Sequence, residues 1–200
     1  MYTYLALGDS YTIGEQVPLH DNFPYQAVKL LKDMKIEVTE PVIVAKTGWT
    51  TDELDEAIRE HNIDEKFSIV SLLIGVNNQY RGKSVDEYKT DFQQLVMEAI
   101  AFADGKADRV FVLSIPDWGV TPFAEGRDRS QVAKDIDAYN AANKEIAAAN
   151  KCNYIEITGS TRDNGTVKDY LADDGLHPSS KEYTIWAQKL ANAVATTLKN

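Results

Sequence analysis

Cysteine is the scarcest reactive residue in this chain. It occurs once, as Cys152, so no intramolecular disulfide can form and no cysteine-based zinc site can be built. Histidine is nearly as rare, and His20, His61 and His177 are scattered without the paired spacing of a metal-ligand set. Basic residues are in deficit as well. With Lys plus Arg at 21 and Asp plus Glu at 31, the net charge is −10, the wrong sign for nucleic acid or an anionic membrane surface. Glycine and proline number 11 and 6 in 200 residues, too few for a disordered or collagenous chain. Long apolar runs are missing too. The longest, Ile69 to Val76, is broken by Ser71 and falls far below the roughly 18 residues of a membrane span, so no stable membrane insertion is expected. Residues Met1 to Leu7 lack the basic start and apolar core of a secretory leader. The expected location is the cytoplasm, and a chain whose leader had been removed would read the same way.

What is present is ordinary for a globular protein: 44% apolar and 26% charged residues. A length of 200 residues predicts one domain, residues 1–200. Strand-like and helix-like segments alternate. Tyr2 to Leu7, Val38 to Ala45, Phe67 to Ile74, Arg109 to Ile115 and Tyr154 to Ile157 read as five strands. Phe67 to Ile74 is nearly all apolar, as expected of a strand covered on both faces. Phe23 to Lys35 has helical spacing, and so does Thr50 to His61, which opens on a capping-box pair, Thr50 and Glu53. Ser84 and Glu87 open another helix, whose stripe is Val85, Tyr88, Phe92, Leu95, Val96 and Ala99. Val132 to Ile146 and the segment after Pro178 carry further amphipathic helices. Such alternation predicts an α/β fold, with a five-stranded parallel sheet between two helix layers. Strand order 2-1-3-4-5 is the common one for this architecture.

Ligands of such sheets bind at the carboxyl ends of the strands. Those ends hold Gly8-Asp9-Ser10-Tyr11, Thr47-Gly48-Trp49-Thr50, Gly75-Val76-Asn77-Asn78, the segment from Asp117 to Phe123 and, further on, Asp173-Asp174-Gly175-Leu176-His177-Pro178. A serine, a histidine with a carboxylate three residues before it, and several small or amide groups are the parts required for acyl transfer. Each also has a plainer use. Ser10 fits a helix N-cap, Asn77 a left-handed turn and Gly48 a tight turn. Asp173 and Asp174 compete as the carboxylate.

Taken together, Gly8-Asp9-Ser10-Tyr11, Gly48, Gly75-Val76-Asn77-Asn78 and Asp174-Gly175-Leu176-His177 resemble the four blocks of the SGNH hydrolases, the GDSL-type esterases and lipases. The likeness runs from residue 8 to residue 178. It implies a flavodoxin-like α/β/α sandwich and a serine hydrolase acting on carboxylic esters, with no metal or cofactor. Ser10 becomes the nucleophile, His177 the base and Asp174 its orienting carboxylate. The oxyanion donors become the Ser10 and Gly48 N–H groups and the Asn77 amide. Two positions depart from the usual pattern: Asn78 where aspartate is common, and Tyr11 where leucine is.

The substrate is an ester of a small molecule. Trp49, Asn78, Tyr80, Arg81, Trp118 and Phe123 fall in or near the strand-end loops and are candidates for its pocket, although loop aromatics also pack against a sheet. Residues 117–130 form a connection long enough to be functional. Arg127 and Arg129 fall within it and, with Arg81, could meet an anionic group. The chain has no room for a large lid domain, so a short-acyl ester or a sugar acetate fits better than a long-chain triglyceride. Carbohydrate O-acetylesterase and lysophospholipase are the alternatives within the family. A reading from another class is a flavodoxin-like FMN or small-molecule binder using residues 10–14 as a phosphate loop, which leaves residues 174–177 and 75–77 without a role. His20, His61 and Cys152 are read as structural.

Overall fold

The computed structural model describes residues 1–199. Its strands are β1 (Tyr4–Asp9), β2 (Val42–Lys46), β3 (Ile69–Leu73), β4 (Val110–Leu113) and β5 (Asn153–Ile155). All pair in parallel, in the order β2-β1-β3-β4-β5. The helices are α1 (Ser10–Ile13), α2 (Phe23–Asp33), α3 (Thr51–His61), α4 (Val76–Tyr80), α5 (Val85–Phe102), α6 (Arg129–Ala149), α7 (Thr158–Asn164) and α8 (Ser180–Lys199). Among the described residues, no helix is long and apolar enough to cross a membrane.

Every residue of β1, β3 and β4 is buried, which explains why these strands read as continuous apolar runs rather than as alternation. Helices cover both faces. α2 packs on α8, and α5 packs on α6 and α3. Trp186, Tyr183 and Phe23 lie beneath the first pair. Tyr88, Phe92 and Tyr139 lie beneath the second, with Tyr88 stacked on Tyr139 at 4.4 Å between centroids. The capping residues behave as their types require. Asn22 accepts from the Tyr25 N–H at the start of α2. The Glu53 carboxylate returns to the Thr50 N–H, and that of Glu87 to the Ser84 N–H.

The second strand begins later than the sequence suggests. Val38 makes an isolated bridge to Tyr2, Pro41 intervenes, and the ladder starts at Val42. A proline has no N–H to give a ladder, so it delays the strand. The first strand is correspondingly shifted to Tyr4–Asp9, with Gly8 inside it. A Cβ at Gly8 would lie 2.6 Å from the Leu73 carbonyl oxygen, so only glycine lets β1 lie this close to β3. The helices α1, α4 and α7 have no counterpart in the sequence reading. Each spans two turns or fewer, too short for periodicity to register.

Gly8 lies opposite Ala45 on one side and Leu73 on the other. That register brings the carboxyl ends of β1, β2 and β3 level. The sheet reverses its strand order between β1 and β3, and the crevice beyond such a switch point is where α/β sheets bind ligands.

Candidate active site

Ser10 is the first residue of α1, directly after β1. The cap of that helix is Asp9, whose carboxylate accepts from the Tyr11 N–H at 3.0 Å. Ser10 therefore does not serve as the N-cap, and its hydroxyl is available elsewhere. It sits 3.0 Å from His177 Nε2. His177 Nδ1 is 2.5 Å from Asp174 Oδ2. A hydroxyl, an imidazole and a carboxylate thus stand in line, joined across 167 residues of sequence.

The loop that carries the last two is well fixed. Asp174 Oδ1 accepts from the Leu176 and His177 N–H groups at 3.0 Å each. Ala172 N–H donates to the His177 carbonyl, and Ser179 N–H to that of Tyr170. The Tyr11 ring stands 5.1 Å from the imidazole. Asp173, the rival carboxylate, makes no such contact; the imidazole bonds Asp174. Partial burial alone would raise the Asp174 carboxyl. The hydrogen bonds from the His177 ring and from the two backbone N–H groups outweigh it and hold that carboxyl below its ordinary range.

Gly48 and Asn77 come from the ends of β2 and β3. Gly48 has φ +84°, a left-handed conformation that favours glycine. Its carbonyl accepts from Arg81 at 2.6 Å. Asn77 is half-buried in the first turn of α4 and donates to the Trp49 carbonyl at 3.0 Å, with a longer contact of 3.5 Å to Asp9 Oδ2. The turn before it is set by Gly75 at φ +137°, where a Cβ would fall 2.8 Å from the Tyr88 ring. The Tyr88 hydroxyl donates to the Ile74 carbonyl beneath this turn.

Asp9 is fully buried, and that desolvation pushes its carboxyl up to about 7 despite the Tyr11 N–H. Such an acid holds its proton below neutral pH and loses it as pH rises through about 7.

A cleft of about 190 Å³ opens over Ser10 and His177. Tyr11, Thr47, Gly48, Val76, Asn77 and Leu176 line it, together with Tyr80, Trp118 and Phe123. These last three form an aromatic wall, with Tyr80 5.2 Å from Trp118 and 6.3 Å from Phe123. Trp118 Nε1 donates to Gln79, which fixes its ring. The segment 117–130 is not a loose loop. It holds two short 3₁₀ turns, and Arg129 donates to the Gly119 and Thr121 carbonyls.

Three of the six candidate pocket residues do not line the cleft. Asn78 is fully buried; its side-chain oxygen accepts from the Thr51 N–H, and its amide donates to the Thr51 hydroxyl. It ties the β3–α4 turn to α3 instead of facing a substrate, as a short amide at an interior position must when both its groups require partners. Trp49 offers its carbonyl to Asn77 and packs its ring on the core. Arg81 is engaged with Glu53 and Gly48. Arg127 lies over the Tyr80 and Trp118 rings, 5.2 and 5.3 Å from their centroids. His20 stands edge-on to Tyr25, and His61 bonds the Ala57 carbonyl. Sequence reasoning gave no pocket role to Tyr11, Val76 and Leu176, which stand inside the quoted motifs, or to Thr47, which precedes Gly48. It also passed over Glu15, which has no motif to mark it.

Residues 6–185 match the GDSL-like Lipase/Acylhydrolase family. The chain belongs to that family. Membership makes it an ester-hydrolysing serine hydrolase and leaves the flavin-binding alternative without support. The spore germination lipase LipC of Bacillus licheniformis is 26% identical to it, with 95% of each chain covered. Among solved structures, the acetylxylan esterase Axe2 from Geobacillus stearothermophilus superposes with a TM-score of 0.74. It is 21% identical and covers 96% of this chain and 94% of its own. The psychrotrophic esterase EstA from a Pseudoalteromonas species gives a TM-score of 0.71 at 15% identity, with both chains fully covered. These structural likenesses carry the GDSL-type fold.

Proposed function

We propose that the chain hydrolyses short-acyl carboxylic esters through Ser10, His177 and Asp174. The observation that carries this reading is the unbroken line from the Ser10 hydroxyl to His177 Nε2 at 3.0 Å and from Nδ1 to Asp174 at 2.5 Å. As Ser10 Oγ attacks the ester carbonyl carbon, its proton passes to Nε2. Asp174 holds the ring with Nε2 free to accept, and stabilises the imidazolium without taking the proton. The carbonyl oxygen becomes an oxyanion. The Ser10 and Gly48 N–H groups and the Asn77 amide are the donors that receive it. Collapse of the tetrahedral intermediate breaks the bond to the alcohol oxygen, which takes the proton from Nε2. Water, deprotonated by the same imidazole, then releases the acid and restores Ser10.

Cleft size supports a short acyl group. About 190 Å³ is below the roughly 300–1,000 Å³ of pockets that hold drug-sized ligands. The aromatic wall of Tyr80, Trp118 and Phe123 gives the acyl chain an apolar surface. A fluorophosphonate probe tests the nucleophile: it should label the protein and fail on Ser10→Ala. A series of p-nitrophenyl esters from acetate to palmitate should show turnover falling steeply beyond the short chains. Labelling that persists in Ser10→Ala would remove Ser10 from the reaction, and a palmitate optimum would overturn the short-acyl assignment.

A further inference from the structure

One carboxylate near the imidazole has no part in the reaction as described. Gly14, at φ +75°, ends α1, and its missing Cβ would lie 2.4 Å from Asn22. The Gly14 and Glu15 N–H groups both donate to the Ser10 carbonyl at 3.1 Å. Glu15 is therefore brought back beside His177 by a turn that glycine alone permits. Its Oε2 lies 3.9 Å from His177 Nε2 and accepts from the Thr47 hydroxyl at 2.6 Å. That hydroxyl is the only hydrogen-bond partner of the Glu15 carboxylate among the described residues, and the side chain is 28% exposed. Lone pairs remain to receive a donor from outside.

Position gives the carboxylate its meaning. The departing alcohol oxygen takes its proton from Nε2, so it must come within hydrogen-bond reach of that nitrogen. The atoms next to the alcohol oxygen then lie beside Glu15. A carboxylate is an acceptor without a donor. It can receive a hydroxyl carried on the neighbouring carbon of the alcohol, and it repels an anionic group placed there. We propose that Glu15, aimed by Thr47, selects the leaving group, favouring esters of polyhydroxy alcohols over esters of plain or anionic alcohols. The inference rests on the Ser10–His177 reading and adds to it the chemistry of the alcohol side.

Three butyrate esters with alcohols of similar size test it: those of ethanol, ethylene glycol (one hydroxyl left free) and glycolate. Hydrolysis is followed by alkali titration. A hydrogen bond to a charged group corresponds to about tenfold or more in kcat/KM. The hydroxyethyl ester should exceed the ethyl ester by about that factor, and the glycolate ester should be the poorest. Glu15→Ala should bring the three together. Glu15→Gln keeps an acceptor oxygen, so it should retain part of the hydroxyl preference and lose the discrimination against glycolate. Thr47→Val leaves Glu15 in place but unaimed and should weaken the preference for the hydroxyethyl ester over the ethyl ester. Wild-type rates that do not distinguish the three esters overturn the assignment. So does an equal fall on all three in Glu15→Ala, which would make Glu15 an electrostatic support for His177. In both of those cases labelling of Ser10 and turnover persist. Absence of labelling and of turnover on every ester would instead overturn the Ser10–His177 reading, and this inference with it.

Discussion

Replacing Asn77 by alanine separates the chemistry of the site from its stability. In the resting protein the Asn77 amide makes one good hydrogen bond, 3.0 Å to the Trp49 carbonyl, and a longer contact to Asp9. Truncation gives up a neutral hydrogen bond worth about 1 kcal/mol. In a chain of 200 residues that corresponds to a fall in Tm of about 2–4 °C. The cost in the transition state is of another size. An oxyanion donor contributes about 3–4 kcal/mol, or roughly 10²–10³ in kcat. Such an interaction exists only once the carbonyl oxygen has become charged, so kcat and kcat/KM should fall together and KM should stay put. The assay is steady-state hydrolysis of p-nitrophenyl butyrate, with a thermal melt on the same preparation. Asn77→Asp is the companion variant. It keeps the shape but sets a carboxylate against the developing oxyanion and beside Asp9, and its loss should be at least as large. A folded Asn77→Ala protein with unchanged kcat would refute the assignment. A raised KM at constant kcat would also refute it, because the amide would then be binding the ground state.

Three further outcomes follow from the same geometry. Asp174→Asn keeps the loop but offers His177 Nδ1 the wrong partner, so kcat should drop by about 10⁴; a loss of less than tenfold would show that His177 is oriented by something else. Gly48→Ala and Gly75→Ala should part company in a urea titration. Both put a side chain at positive φ, but only Gly75 has a ring 2.8 Å from the new Cβ, and it should be the more destabilised by at least 1 kcal/mol; equal losses would refute the contact with Tyr88. Asp9 gives a pH dependence. Its native value of about 7 exceeds an unfolded value of about 3.9, so between these limits the native state holds a proton that the unfolded state has lost. This contribution is fully present below pH 4 and is lost as pH rises through about 7. Stability measured from pH 5 to pH 8 should therefore slope less steeply downward in Asp9→Asn, and an unaltered slope would mean that Asp9 is ionised throughout.

Much of the site could be read from sequence because its parts stand directly after strands, and the strands were apolar enough to place. Ser10, Gly48 and Asn77 follow β1, β2 and β3 at the level edge set by Gly8. Tyr80, Trp118 and Phe123 reach the cleft from the short helical turns that follow β3 and β4. The misplacements have physical causes. Val38 looks like a strand residue and is buried, but it pairs outside the ladder because Pro41 interrupts the chain. Asn78 is next to Asn77 in sequence, yet one step along a helix turns a side chain by about 100°, and that sends it toward Thr51. Glu15 is an unremarkable carboxylate in the sequence. Only the reversal at Gly14 and the long-range arrival of His177 give it a setting.

The second helix, α2, rests on the last helix, α8, and Gln26 in α2 donates to the Ser180 carbonyl. Synthesis proceeds from the amino end, so Ser10 leaves the ribosome long before His177 does. Until then α2 lacks α8 as a packing partner, and Ser10 lacks His177. Under the proposed mechanism a nascent or truncated chain holds an inert hydroxyl, and hydrolytic activity switches on only when the two distant parts of the polypeptide meet.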